Sequence, residues 1–193
     1  MASVFFLAEM RVRGWYVEGV EISQTGRDYA INKLGLPVYS KVLEELDLKS
    51  GTYDVVTLHY VIEHIIDPVN LLRSVRRILA PDGLVLIRWP HSTPIFRILG
   101  PFAKKLDLFH NPYHIYDFSP KTMSLLLQAC GFGEIKTVAG GFTLPQPRIT
   151  RLVSRLFGVL GQALCSMSRG HLILPGISKT TLAFKRECRQ EFL

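Results

Sequence analysis

The sequence predicts an α/β fold: a twisted, mostly parallel sheet with helices packed on both faces. Three observations carry this. Short β-branched runs alternate with segments of helical period along most of the chain. The run Tyr53–His59 is apolar on both parities, as in a strand covered on both faces. That run passes into a polar elbow and then into a helix start, Asp67-Pro68, where Asp can cap and Pro needs no amide hydrogen.

The elements follow in order. Residues 3–13 read as a helix, with Gly14 as its stop. Trp15–Ile22 reads as a strand. Ser23 caps a helix over 24–34, which Gly35 ends, and 36–40 is a short strand with Pro37 at its edge. After the strand at 53–59, a helix over 68–80 carries Leu71, Leu72, Val75, Ile78 and Leu79 at helical spacing. Pro81-Asp82-Gly83 is a turn into a strand at 83–89. Residues 90–118, rich in Pro, His and aromatics, form a long connection of the kind that makes a lid or binding loop. Ser119-Pro120 opens a helix that Gly131 stops, and 132–138 and 179–185 are further strands.

Size and composition suit one domain. The 193 residues are 48% hydrophobic, too apolar for a disordered chain. The three cysteines are widely spaced, without zinc or disulfide patterning, which points to a reducing, cytoplasmic setting. The formal net charge of +7 is uneven: residues 1–144 carry +1 and residues 145–193 carry +6. The stretch 148–168 is apolar with interspersed Arg. It is read first as a helix over the cleft or against a partner subunit, and second as a contact with an anionic membrane surface.

The stretch 54–68, "DVVTLHYVIEHIIDP", resembles the region after the fourth strand of class I S-adenosylmethionine-dependent methyltransferases, in particular the group containing the ubiquinone-type O-methyltransferases. "WYVEGVEIS" is similar to that family's second strand, "PDG" with "LVLIRWPH" to its turn and fifth strand, and "HIYDFSPKT" with "LLLQACGF" to the following loop and helix. "KTTLAFK" resembles its last strand, which runs against the others. The resemblance implies a Rossmann-like sheet that lacks the family's first strand and glycine-rich loop, with an N-terminally incomplete chain as the expectation. It divides the single domain into a core (1–144), a basic apolar insertion or cap (145–177) and the last strand and tail (178–193).

It also implies the cofactor, S-adenosyl-L-methionine, and a small-molecule acceptor methylated most readily at oxygen. For the cofactor, Glu21 would take the ribose hydroxyls and Ile22 would pack on adenine. Leu43 (through its amide) and Glu44 would meet the adenine edge, where Val42 replaces the family's usual acid. His59 and Tyr60 would line the pocket. For catalysis, methyl transfer needs alignment above all, and an oxygen nucleophile gains from a base titrating near neutrality. His64, His114 and His91 are the candidates. In the ubiquinone-type group, a Glu-His pair with an earlier carboxylate is associated with a divalent metal. Here Glu63-His64 remains and Tyr60 stands at the earlier position, so no metal site is expected.

Two rivals remain at this point. One is a non-catalytic methyltransferase-like protein that binds a partner. The other is a nicotinamide-dependent oxidoreductase, against which the elbow at 63–68 and the terminal strand pair argue. Nucleic acid ranks last among partners, since no RNA-reading module is visible. Oligomeric state stays open.

Overall fold

The structure is a computed structural model that describes residues 2–90, 114–139 and 178–186. The elements are α1 (Ala2–Val12), β1 (Gly19–Val20), α2 (Gln24–Leu34), β2 (Val38–Tyr39), β3 (Tyr53–His59), α3 (Pro68–Ile78), β4 (Leu79–Trp89), α4 (Pro120–Ala129), β5 (Phe132–Ala139) and β6 (Lys179–Lys185). Two single turns of tighter helix, Leu43–Glu45 and Ile62–His64, follow β2 and β3. The expected helix at 148–168, the connection at 91–113 and His91 lie outside the described residues.

Capping chemistry sets the helix starts. The side chains of Ser23, Asp67 and Ser119 accept hydrogen bonds from the amides of Gly26, Asn70 and Thr122, and Pro68 and Pro120 open α3 and α4. Gly35 ends α2 in the left-handed region (φ 60°), where its lack of a Cβ removes the steric cost.

Among the described residues the strands form two sheets. β1 and β2 pair in parallel across the crossover helix α2. The larger sheet has the order β3-β4-β6-β5. β3 and β4 are parallel, while β6 runs antiparallel to both β4 and β5. This is the reversed last strand that the sequence implied.

Alternation assigns the faces. Val85, Ile87 and Trp89 of β4 are fully buried, and they share one core with Leu58, with Leu72 and Val75 of α3, and with Met123 and Leu127 of α4. Thr57 and His59 of β3 point to the opposite face, where Phe6 of α1 meets His59 at 4.9 Å between ring centroids. A smaller core joins Val4, Ala30 and Leu36 around the two-stranded sheet.

Side chains rather than a ladder connect the two sheets: the Tyr53 hydroxyl donates to the Glu18 carboxylate. The expected strand at 15–22 contracts to Gly19–Val20, and Trp15 and Tyr16 are exposed. A strand needs a paired neighbour, and β2 offers only two residues, preceded by a proline without an amide hydrogen. The turn at 81–83 becomes an outward loop inside β4. Leu79 pairs with Tyr53 and Leu84 with Val55, so the residues between them bulge from the ladder.

Candidate active site at the carboxyl end of β3

Glu21 follows β1, and its position is fixed by local chemistry. Its carboxylate accepts the Ser23 amide at 2.9 Å, and its backbone amide donates to Tyr39. The side chain also packs against Gly26 in the first turn of α2. A Cβ on Gly26 would come within 2.8 Å of the carboxyl carbon, so only glycine leaves the side chain where it is. Ile22 beside it is 65% exposed, an apolar side chain presented to solvent at a strand end. Leu43 packs against the main core, Glu44 is half-buried, and Val42 is exposed. Glu21 and Ile22 thus follow β1, and Leu43 and Glu44 follow β2. The remaining described candidates cluster past β3.

β3 ends at His59. Its ring is half-buried against Phe6, and its Nε2 is buried without a hydrogen-bond partner. Burial, and then the nearby Arg88 cation, lower its pKa below the usual histidine value of 6.5. The unfolded chain therefore takes the proton first as pH falls. The native state loses stability as pH drops below about 6.5 and on through the depressed folded value. Replacing His59 with glutamine should make the fall in melting temperature between pH 7.5 and 5.5 shallower than in the wild type, measured by thermal denaturation. An equally steep fall would show that His59 is not the group responsible.

Tyr60 has a positive φ of 55°, an outlier for a bulky side chain. Its surroundings hold it there. Its amide donates to the Arg88 carbonyl at 2.8 Å, and the Arg88 guanidinium donates to its hydroxyl at 3.1 Å and stacks 5.7 Å from its ring. Backbone strain maintained in this way concentrates at functional sites. Arg88, which no sequence motif marked, is thus part of the site's frame.

The single helical turn Ile62–His64 turns Glu63 inward. Its carbonyl accepts the amides of Ile115 and Tyr116, which brings the segment before α4 onto the elbow. Glu63 is 1% exposed, and neither carboxylate oxygen has a hydrogen-bond partner. Burial raises its pKa above the usual carboxylate range. His64 Nε2 stands 3.9 Å from Glu63 Oε1, and the rings of His64 and His114 lie 4.8 Å apart. Two of the three predicted histidines are therefore neighbours, although they lie in different segments of the chain.

The comparisons agree with the fold. A family model described as a methyltransferase domain matches residues 5–136. No curated protein is similar to the chain in sequence. Among solved structures, the chain is similar to an S-adenosylmethionine-dependent methyltransferase of Archaeoglobus fulgidus, with a TM-score of 0.63, 17% identity, 94% of this chain covered and 80% of that one. An S-adenosylmethionine-dependent methyltransferase of Thermotoga maritima matches with the same TM-score of 0.63 at 20% identity, covering 94% and 76%. Phosphoethanolamine N-methyltransferase 2 of Haemonchus contortus, solved with S-adenosyl-L-methionine, matches with a TM-score of 0.55 at 19% identity, covering 89% of this chain and 43% of that one. The ubiquinone-type subgroup is not among the relationships these matches establish. The chain belongs to the methyltransferase-domain family and has the Rossmann-like fold of S-adenosylmethionine-dependent methyltransferases.

Proposed function

We propose that this chain transfers the methyl group of S-adenosyl-L-methionine to an oxygen of a small-molecule acceptor. The observation that carries the reading is the polar cluster Glu63, His64 and His114 beside the strained Tyr60 at the carboxyl end of β3. That edge of an open α/β sheet is where ligands bind.

Glu21 accepts hydrogen bonds from the ribose hydroxyls, and Ile22 covers one adenine face. Leu43 and Glu44 meet the adenine edge. His59 and Tyr60 line the reacting end. The sulfonium is already activated, so the protein mainly aligns acceptor oxygen, methyl carbon and sulfur. As the new C–O bond forms, the C–S bond breaks and its electron pair returns to sulfur, leaving neutral S-adenosylhomocysteine. The acceptor's proton passes to an imidazole. His64, 39% exposed, sits at the rim where that proton can exchange with water, and His114 is next to it. His91, the third candidate, lies outside the described residues. A contact of 148–168 with a membrane surface would suit an acceptor with an apolar tail. Among the described residues no helix is long and apolar enough to cross a membrane.

The test is turnover with a panel of phenols, catechols and primary amines, with S-adenosylhomocysteine and the methylated product measured by mass spectrometry. Methylation at oxygen is expected, falling about 10²-fold or more in kcat when His64 and His114 are both replaced by glutamine. Methylation of the amines alone would overturn the choice of oxygen. Turnover unchanged by the double replacement would remove the imidazoles from the proton step.

A further inference from the structure

We propose that Glu63, His64 and His114 form a binding site for a divalent transition-metal ion, with Zn²⁺ the best match to the ligand chemistry. A buried carboxylate normally has hydrogen-bond partners, because removing it from water without them is costly. Glu63 is 1% exposed and neither of its oxygens has a hydrogen-bond partner, the His64 Nε2 standing 3.9 Å from Oε1. A cation is the group that would satisfy it.

The atoms able to ligate an ion are already gathered. One carboxylate oxygen and one imidazole nitrogen from each histidine all lie within 4.8 Å of one another. A tetrahedral zinc with bonds of about 2.0–2.1 Å holds its ligand atoms about 3.3 Å apart. Rotation of the His64 and His114 rings, one exposed and one half-buried, supplies the remaining closure. Glu63 is the fixed member: its carbonyl is tied to the amides of Ile115 and Tyr116, and this same tie delivers His114.

Two imidazoles and one carboxylate favour zinc, iron or nickel over magnesium, which prefers an all-oxygen octahedron. Three protein ligands also leave at least one position open, as in sites where an ion meets a substrate. The expectation of no metal counted only Glu63 and His64 and found no third donor at Tyr60. The third donor instead comes from the segment that precedes α4. A ring nitrogen bound to an ion accepts no proton, so the base assignment above holds for the metal-free form, and metal binding can be tested without reference to methyl transfer.

The chain, stripped with a chelator and dialysed, would be titrated with Zn²⁺ by calorimetry. In parallel, Co²⁺ would be added and followed by its visible absorption, which reports four- or five-coordination. The expected result is one ion per chain with micromolar or tighter affinity, weakened at least tenfold in Glu63→Gln and in His114→Asn, with Mg²⁺ failing to compete. Glu63→Gln removes a charge from a buried place, so the metal-free variant should melt no lower than the wild type. Loss of ion binding in a folded variant therefore reads on the site itself. Absence of Zn²⁺ and Co²⁺ binding would overturn the proposal, as would binding that both substitutions leave unchanged or binding of Mg²⁺ in preference.

Discussion

Replacing Trp89 with alanine is expected to destabilise the chain by about 3–5 kcal/mol, the largest effect of any single core truncation here. Trp89 ends β4, is fully buried, and belongs to the core shared by β3, β4, α3 and α4. Its indole N–H donates to the Thr181 hydroxyl at 3.0 Å, and that hydroxyl also pairs with Thr137 at 2.9 Å. One ring thus connects β4, β6 and β5. Lys179, itself buried, places its ammonium 5.5 Å from the ring, so truncation also removes the aromatic face that this cation meets. Trp89→Phe keeps most of the volume and loses the N–H, and should cost closer to about 1–2 kcal/mol. Urea denaturation followed by far-ultraviolet circular dichroism measures both. A cost below about 1 kcal/mol for the alanine variant would mean that Trp89 does not organise this core.

The second large effect is on cofactor binding, and it has an unusual lever. Gly26→Ala is expected to weaken S-adenosylhomocysteine binding about tenfold or more while leaving the fold as stable or slightly more so. Inside a helix alanine is favoured over glycine by about 1 kcal/mol. At Gly26, however, the new methyl group would come within 2.8 Å of the Glu21 carboxyl carbon and push the carboxylate aside. The loss should match that of Glu21→Ala, since both would remove the two ribose contacts proposed for Glu21. Equal affinity in wild type and Gly26→Ala, measured by calorimetry, would show that Glu21 does not bind ribose where it now stands.

Much of the fold was legible because its signals are local. Ser23 and Gly35 bracket α2, Asp67-Pro68 starts α3, and Ser119-Pro120 starts α4, each by chemistry confined to a few residues. β3 and β6 were readable to the residue because both are paired along their length. β1 was not. Its sequence suits an eight-residue strand, but strand length is set by the neighbour, and β2 is short. The bulge at 80–83 was hidden for a similar reason, since register is a property of two strands.

The site divides the same way. Glu21 and His59 could be placed at strand ends, and His64 in the elbow that follows, from the pattern alone. The pairing of His64 with His114 could not, because it depends on backbone bonds from Ile115 and Tyr116 to Glu63. Glu63 reads in the sequence as half of a Glu-His pair at the elbow, and only tertiary packing shows its carboxylate buried without a hydrogen-bond partner. Arg88 sits in an apolar strand and gave no signal, yet it holds the strained Tyr60 through both backbone and side chain.

The central claim is that this chain binds the methyl donor through the carboxyl ends of β1 and β3. Calorimetric titration of the chain with S-adenosylhomocysteine tests it most directly. Saturable binding at one site per chain is expected, lost or strongly weakened in Glu21→Ala. Absence of binding by the folded wild-type chain, or binding that Glu21→Ala leaves untouched, would contradict it.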